Sequence, residues 1–302
     1  MSSTLVYTRN DLLDLQPRHA SFVGIDSDGC IFPTMEIKQK ECFHSLIVST
    51  WHLEGIERYV REAAEFVNLH SRHRGQNRFP CLLKTFELLH NRPEARASGI
   101  ELPPLAPLKR YCESGLALGN PTLETYARET RDPEMARILQ WSKDVNARVA
   151  EVVKKVPPFR WVIESLKEIR KHSDAICVSQ TPAEALIREW EANDLVEYVT
   201  VIAGQELGTK AEHLTMATQG RYPADRVLMI GDAPGDLKAA RQVGAHFFPI
   251  DPGHEEASWE LFFKVAYALF LDGAYTHDYE AALVRRFEAL LPDTPPWIRT
   301  SP

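Results

Sequence analysis

Two aspartates two residues apart, Asp26 and Asp28, lie in the segment FVGIDSDGC at 22–30, after a short apolar run and directly before Gly29. Side chains in a strand repeat their direction every two residues, so this spacing can aim both carboxylates to one side as a strand ends. Gly29 then permits a sharp turn. Like charges held this close disfavour the doubly ionised pair unless a cation or a proton intervenes. The pair is therefore a candidate for metal binding and acid–base chemistry. Asp-Gly is also common in ordinary turns, so the pair alone does not establish a site.

Further polar groups follow other apolar runs. Ser179, Gln180 and Thr181 close the run at 175–179, Lys210 follows the run at 199–202, and the run at 227–230 leads into GDAPGD at 231–236, which holds Asp232 and Asp236. Taken singly, Ser179 reads as a helix cap, Lys210 as a solvated surface residue and Asp232 as a turn residue.

The elements that must position these groups form a regular series. Apolar runs at 22–25, 175–179, 199–202, 227–230 and 245–250 are fit for buried strands, and helical patterns at 182–190, 211–217 and 236–243 lie between the later ones. Strands alternating with helices at this spacing predict an α/β fold, a Rossmann-like parallel sheet covered on both faces. In such sheets the active site lies beyond the carboxyl ends of the strands, where Asp28, Ser179 and Asp232 would sit.

In this order, all at strand ends, these segments resemble the four motifs of the haloacid dehalogenase-like hydrolase superfamily, specifically its phosphatase branch. The resemblance covers the sheet region, about half of the chain. It implies that Asp26 is the nucleophile and Asp28 the general acid and base. It makes Ser179 the hydroxyl holding a phosphoryl oxygen, Lys210 the cation opposite the nucleophile, and Asp232 a magnesium ligand. Mg2+ would be held by the Asp26 side chain, the Asp28 backbone carbonyl and Asp232. Asp236 matches the second carboxylate of the last motif, which supports the metal or Lys210, and Gln180 is a candidate substrate contact. Most relatives carry Thr or Val where this chain has Cys30, a change that bears on packing more than on the reacting groups.

The chemistry of these residue types agrees with those roles. A phosphate monoester is dianionic, so an aspartate can attack it only once the repulsion is neutralised. Magnesium prefers hard oxygen ligands, and a lysine supplies a compact positive charge. Lowering the barrier of phosphate-ester hydrolysis by about 20 kcal/mol or more requires several such groups acting together. The expected function is magnesium-dependent hydrolysis of a small-molecule phosphate monoester through an aspartyl-phosphate. The alternatives are a phosphomutase using the same phosphoaspartate and a non-enzymatic protein-binding module. Phosphonatase and haloalkanoate dehalogenase chemistry are disfavoured, because relatives with those activities lack an Asp at the position of Asp28.

The stretch 32–158 reads differently, with helical patterns at 54–70, 80–90, 121–129 and 133–155. In the first, Ile56, Tyr59, Val60, Ala63, Phe66 and Val67 form an apolar stripe at the 3 and 4 spacing, which needs a partner to bury it. Proline-rich segments at 102–107 and 156–158 are expected as turns or linkers. The expected division is a core of 1–31 and 159–302 and a mostly helical inserted cap domain of 32–158. By the resemblance, such a cap closes over the site, excludes water and contributes contacts to a small phosphorylated metabolite. In SRHRGQNRF at 71–79 the arginines Arg74 and Arg78 are candidate contacts to an anionic part of that substrate. His213 is expected to pack locally rather than to bind metal. Helices are expected at 254–271 and 279–291. The first is read as a covering helix with a subunit contact as the alternative, so a homo-oligomer stays open, and the tail after 291 is read as loose.

Composition narrows the function classes. Of 302 residues, 44% are apolar and 25% charged, and the formal charge of −7 argues against a general nucleic-acid binder. Arg9, Asp11 and Asp14 interrupt the first 20 residues where a signal peptide needs an apolar core, and no run approaches a membrane span. The five cysteines form no close pair, which fits reduced thiols in a cytoplasmic protein.

Overall fold

The computed structural model describes residues 6–298 and divides the chain into two compact units. One unit holds the chain up to 35 together with 155–290, and the other holds 36–154 together with the segment from 291.

The first unit is built on five strands: β1 (Phe22–Ile25), β2 (Asp174–Val178), β3 (Val201–Ala203), β4 (Val227–Gly231) and β5 (His246–Pro249). They form one sheet in the order β3-β2-β1-β4-β5, and every neighbouring pair is parallel. All residues of β1, β2, β3 and β4 are buried, which explains why they read as unbroken apolar runs rather than as alternating ones. Along β1, Val23 and Ile25 face a core that includes Leu166 and Ile169 of the helix Val162–His172, Trp190 of Ala183–Ala192 and Trp259 of Glu255–Leu261. On the other face, a Cβ at Gly24 would come within 2.6 Å of Leu214 Cδ2 in the helix Lys210–Thr218. Glycine at 24 lets that helix lie close against β1. The architecture is the α/β parallel sheet expected from the alternation of strands and helices.

The strand order places the chain's change of direction between β1 and β4. The chain runs from β1 to β2 and β3 on one side, then crosses over to β4 and β5 on the other. Residues just beyond the carboxyl ends of these two adjacent strands line the crevice where such sheets bind ligands.

The second unit is helical, with a core that includes Val60, Val67, Phe86, Ile138 and Trp141. Of the stripe expected at 54–70, Val60, Ala63, Phe66 and Val67 are buried on the helix Glu57–Leu69 and Ile56 in the 3-10 turn Glu54–Ile56 before it, while Tyr59 is half-buried. The segment 102–107 is not simply a linker. A helix begins at Leu105 and runs to Cys112, with Pro104 before its first turn and Pro107 inside it, where a missing N–H removes no intrahelical bond. The chain after 291 is also more engaged than expected, for Trp297 packs edge-on to Phe66 at 5.8 Å and lies 4.7 Å from the Arg92 guanidinium. Among the described residues no helix is long and apolar enough to cross a membrane.

Candidate active site

Asp26 directly follows β1, and its N–H donates to the Ile230 carbonyl of β4 at 2.9 Å, continuing the ladder one residue past the strand. The backbone then turns tightly at Ser27, whose carbonyl accepts from the N–H groups of Cys30, Ile31 and Phe32. Gly29 has a φ of 78°, a conformation that glycine adopts without steric cost, and its N–H donates to the Phe32 carbonyl at 2.8 Å. The spacing of the two aspartates thus ends a strand and enters a turn.

Across the strand ends, Asp232 directly follows β4, and Asp236 sits in the first turn of the helix Pro234–Val243. Asp236 Oδ2 accepts the Ala233 N–H at 3.0 Å, which satisfies one of the donors left over at a helix start. A Cβ at Gly231 would lie 2.3–2.4 Å from the Asp236 carboxylate atoms, so glycine at the end of β4 is what admits this side chain. Among the described residues, Asp26, Asp232 and Asp236 each offer a carboxylate oxygen within 4.8 Å of the others, and all three are buried.

Lys210 enters from the start of the helix Lys210–Thr218. Thr209 caps that helix, accepting the Glu212 N–H at 3.2 Å, while Glu212 Oε2 accepts the Thr209 N–H at 2.7 Å. The Lys210 ammonium lies 2.7 Å from Asp26 Oδ2 and 2.6 Å from Asp236 Oδ1. Burial pushes the Asp26 carboxyl up from 3.8 to about 7, with Lys210 pulling it down and Asp236 pushing it up. Burial likewise raises Asp236, against the pull of Lys210. For Lys210, burial alone would favour loss of the proton, but Asp236 and Asp26 more than offset it, and the ammonium is held charged.

Asp28 is half-buried, and both of its carboxylate oxygens meet hydroxyl groups. Oδ2 accepts from Thr181 Oγ1 at 2.7 Å, and Oδ1 makes a very short contact with Thr34 Oγ1. Thr181 belongs to the polar strand end already noted at 179–181, whereas no spacing in the sequence points to Thr34. Ser179 is buried one residue beyond β2, where its N–H donates to the Ala203 carbonyl at 2.9 Å and its hydroxyl accepts the Thr181 N–H at 3.2 Å. The exposed Gln180 spans to the next loop, its amide donating to the Gly208 carbonyl at 2.9 Å.

The two arginines belong to the helical unit. Arg74 is buried, and its Nη1 donates to the Leu69 carbonyl at 3.1 Å. Arg78 Nη1 is shared among the Ser142 carbonyl, the Ser142 hydroxyl and Asn146 Oδ1 at 2.8–3.0 Å, with its guanidinium over the Phe43 ring. Burial lowers Arg78 to about 10. These bonds engage one amino group of the guanidinium and tie it to the helix Pro133–Val152. His213 is fully buried on the helix that carries Lys210, and burial, then Lys210, lower it to about 4, which keeps it neutral.

Asp26, the ammonium paired with it and two further buried carboxylates thus lie together at the switch point of the parallel sheet. The sequence at 113–250 matches the model of the haloacid dehalogenase-like hydrolase family, spanning Ser179, Lys210, Asp232 and Asp236. Over this segment, a little under half of its length, the chain is similar to the haloacid dehalogenase-like family. No curated protein sequence matches it. Among solved structures it is similar to a haloacid dehalogenase-like family protein from Streptococcus pneumoniae, at 14% identity, covering 81% of this chain and 90% of that one, with a TM-score of 0.43. A haloacid dehalogenase-like protein from Bacteroides fragilis gives 13% identity, 79% and 92% coverage and a TM-score of 0.47. A protein of the same type from Bacillus subtilis, bound to magnesium, gives 11%, 76%, 86% and 0.41. With all three scores below 0.5, the family likeness rests on the match at 113–250, and the architecture rests on the sheet itself.

Proposed function

We propose that this haloacid dehalogenase-like protein is a phosphatase that hydrolyses a small phosphate monoester through an aspartyl-phosphate on Asp26. The observation that carries the reading is the Lys210 ammonium at 2.7 Å from Asp26 Oδ2 within a buried group of three carboxylates. The donors of this group are hard carboxylate oxygens that lie within 4.8 Å of one another. That set fits Mg2+ better than a softer, nitrogen- or sulfur-seeking metal. Asp26, Asp232 and the Asp28 backbone carbonyl would hold the ion, with Asp236 supporting Lys210. Bound there, it would supply positive charge to the phosphoryl oxygens.

The side chains divide the remaining work. Asp26 must be ionised to attack, and a carboxyl that stands at about 7 with Lys210 already beside it is brought further into that form by an added cation. Lys210 is placed to meet charge that develops on the phosphoryl group. Ser179 offers a hydroxyl beyond the neighbouring strand for another phosphoryl oxygen. Asp28 carries the proton to the leaving oxygen and then takes one from the water that cleaves the aspartyl-phosphate. A threonine hydroxyl can donate or accept, so the Thr181 contact can hold the Asp28 carboxyl in place through both protonation states. The helical unit, inserted in the chain between the Asp28 and Ser179 segments, is assigned to substrate selection as a cap.

Release of phosphate from p-nitrophenyl phosphate and from a panel of phosphorylated metabolites, with and without magnesium, tests this reading. Product analysis of each reaction separates hydrolysis from transfer back to the substrate. Asp26→Asn and Asp28→Asn should each nearly abolish release, and a folded Asp26→Asn protein with full activity would sink the mechanism.

A further inference from the structure

Ser27, between the two aspartates, has all of its polar atoms engaged. Its N–H donates to Asp26 Oδ1 at 2.8 Å, and its carbonyl collects the three N–H groups of the turn at 2.8–3.2 Å. Its hydroxyl accepts from the indole N–H of Trp190 at 3.0 Å. Trp190 is fully buried in the helix Ala183–Ala192, which follows the Ser179 segment, and it packs edge-on to Phe32 at 6.4 Å. A second fully buried indole, that of Trp259, donates to the Cys30 carbonyl at 2.8 Å. The nucleophile turn is thus held by indole donors from two different helices.

An indole N–H can only donate, and leaving it buried without an acceptor is unfavourable. Phenylalanine would fill most of the same space without that demand. Trp190 instead ties its helix to the one side-chain hydroxyl of the Asp26–Asp28 segment. Fixing Ser27 fixes the N–H that binds Asp26 Oδ1, while Lys210 binds Oδ2, so the carboxylate is gripped at both oxygens.

We propose that Trp190 is a positioning residue for Asp26, acting through Ser27 to hold the nucleophilic carboxylate in its attacking orientation. The inference rests on the phosphatase reading above. Orientation of a nucleophile bears on the attack step, where a displacement of about 1 Å can cost about 100-fold, and has little effect on how tightly the substrate is first held.

The test compares Trp190→Phe, Ser27→Ala and the double variant in the full chain, using p-nitrophenyl phosphate with magnesium and thermal unfolding as the check on folding. Each single variant should lose about 10-fold in kcat with KM within about two-fold, and the double variant should be no worse than the poorer single, because both remove one bond. A role confined to core packing would lower the melting temperature of Trp190→Phe without this shared loss of kcat. Should Trp190→Phe fail to fold, Ser27→Ala removes the same bond from its small side and decides the matter alone. Unchanged kcat in a folded single variant, or losses that multiply in the double, would overturn the inference while leaving the phosphatase reading intact. A wild-type protein that releases phosphate from no monoester would overturn both.

Discussion

Lys210 Nζ lies 2.7 Å from Asp26 Oδ2, and the same ammonium reaches Asp236 Oδ1 at 2.6 Å. One cation therefore serves two buried carboxylates, one following β1 and one following β4. Replacing Lys210 with Ala leaves both without their partner, and breaking a buried ion pair from one side costs about 3–5 kcal/mol of stability. Phosphate release should fall by about 1,000-fold or more, as expected when a group facing developing phosphoryl charge is lost. Lys210→Arg should rescue little, because a planar fork cannot reproduce a point charge bonded in two directions. Steady-state kinetics and urea denaturation of both variants check this, and near-normal kcat in Lys210→Ala would exclude the assigned role.

The raised Asp26 carboxyl makes stability depend on pH in a definite direction. Its folded value of about 7 exceeds the ordinary 3.8, so the folded state holds this proton more tightly than the unfolded chain does. The associated stability is complete below about pH 4 and is lost as pH rises through about 7. In the presence of EDTA, wild-type stability relative to Asp26→Asn should fall between pH 5 and pH 8. On the proposed reading magnesium competes with that proton, so the rise in melting temperature on adding it should be larger at pH 8 than at pH 6, and smaller in Asp26→Asn at both. A magnesium shift independent of pH and of Asp26 would contradict the assigned ligand.

Much of the sheet unit is legible from sequence because each strand is buried on both faces, and five apolar runs mark the strands to within two residues or so. The helix Val162–His172 does not announce itself. One of its four buried positions is Ser165, and charged residues crowd the rest of its length. The carboxylates beyond β1 and β4 are readable as strand-end residues, but the reach of Lys210 depends on a helix seated close over Gly24. The bond from Trp190 to Ser27 joins residues 163 apart through a neutral hydroxyl, and no local pattern encodes it. Nor does the basic cluster at 71–79 reveal that Arg78 Nη1 bonds carbonyl, hydroxyl and amide oxygens supplied by the helix Pro133–Val152.

Two glycines four residues apart should respond oppositely to alanine. At Gly231 a Cβ would sit 2.3–2.4 Å from the Asp236 carboxylate, so Gly231→Ala must displace the group that holds Lys210. Stability and kcat should both fall, the former by about 1–3 kcal/mol as for other overpacked interior sites. At Gly235, within the helix Pro234–Val243, nothing lies within 4 Å of the added Cβ, and Gly235→Ala should be neutral or stabilising by up to about 1 kcal/mol. Equal losses in the two variants would show that general disturbance of the loop, rather than the Asp236 contact, governs the site.

His44 gives the helical unit its own response to acid. The ring is fully buried, its two nitrogens have no hydrogen-bond partner among the described residues, and burial, then Arg61 and Lys40, lower it from 6.5 to about 3. Its folded value lies below the unfolded one, so the stability tied to the neutral ring is present above pH 6.5 and is lost as pH falls toward 3. At pH 5 the unfolded chain is already protonated there and the folded ring is not, a difference of about 2 kcal/mol. His44→Phe keeps the shape of the ring without its proton affinity and sacrifices no hydrogen bond. Urea denaturation at pH 8 and pH 5 should therefore show the variant losing about 2 kcal/mol less than the wild type on acidification, with equal losses if the ring titrates normally in the folded protein.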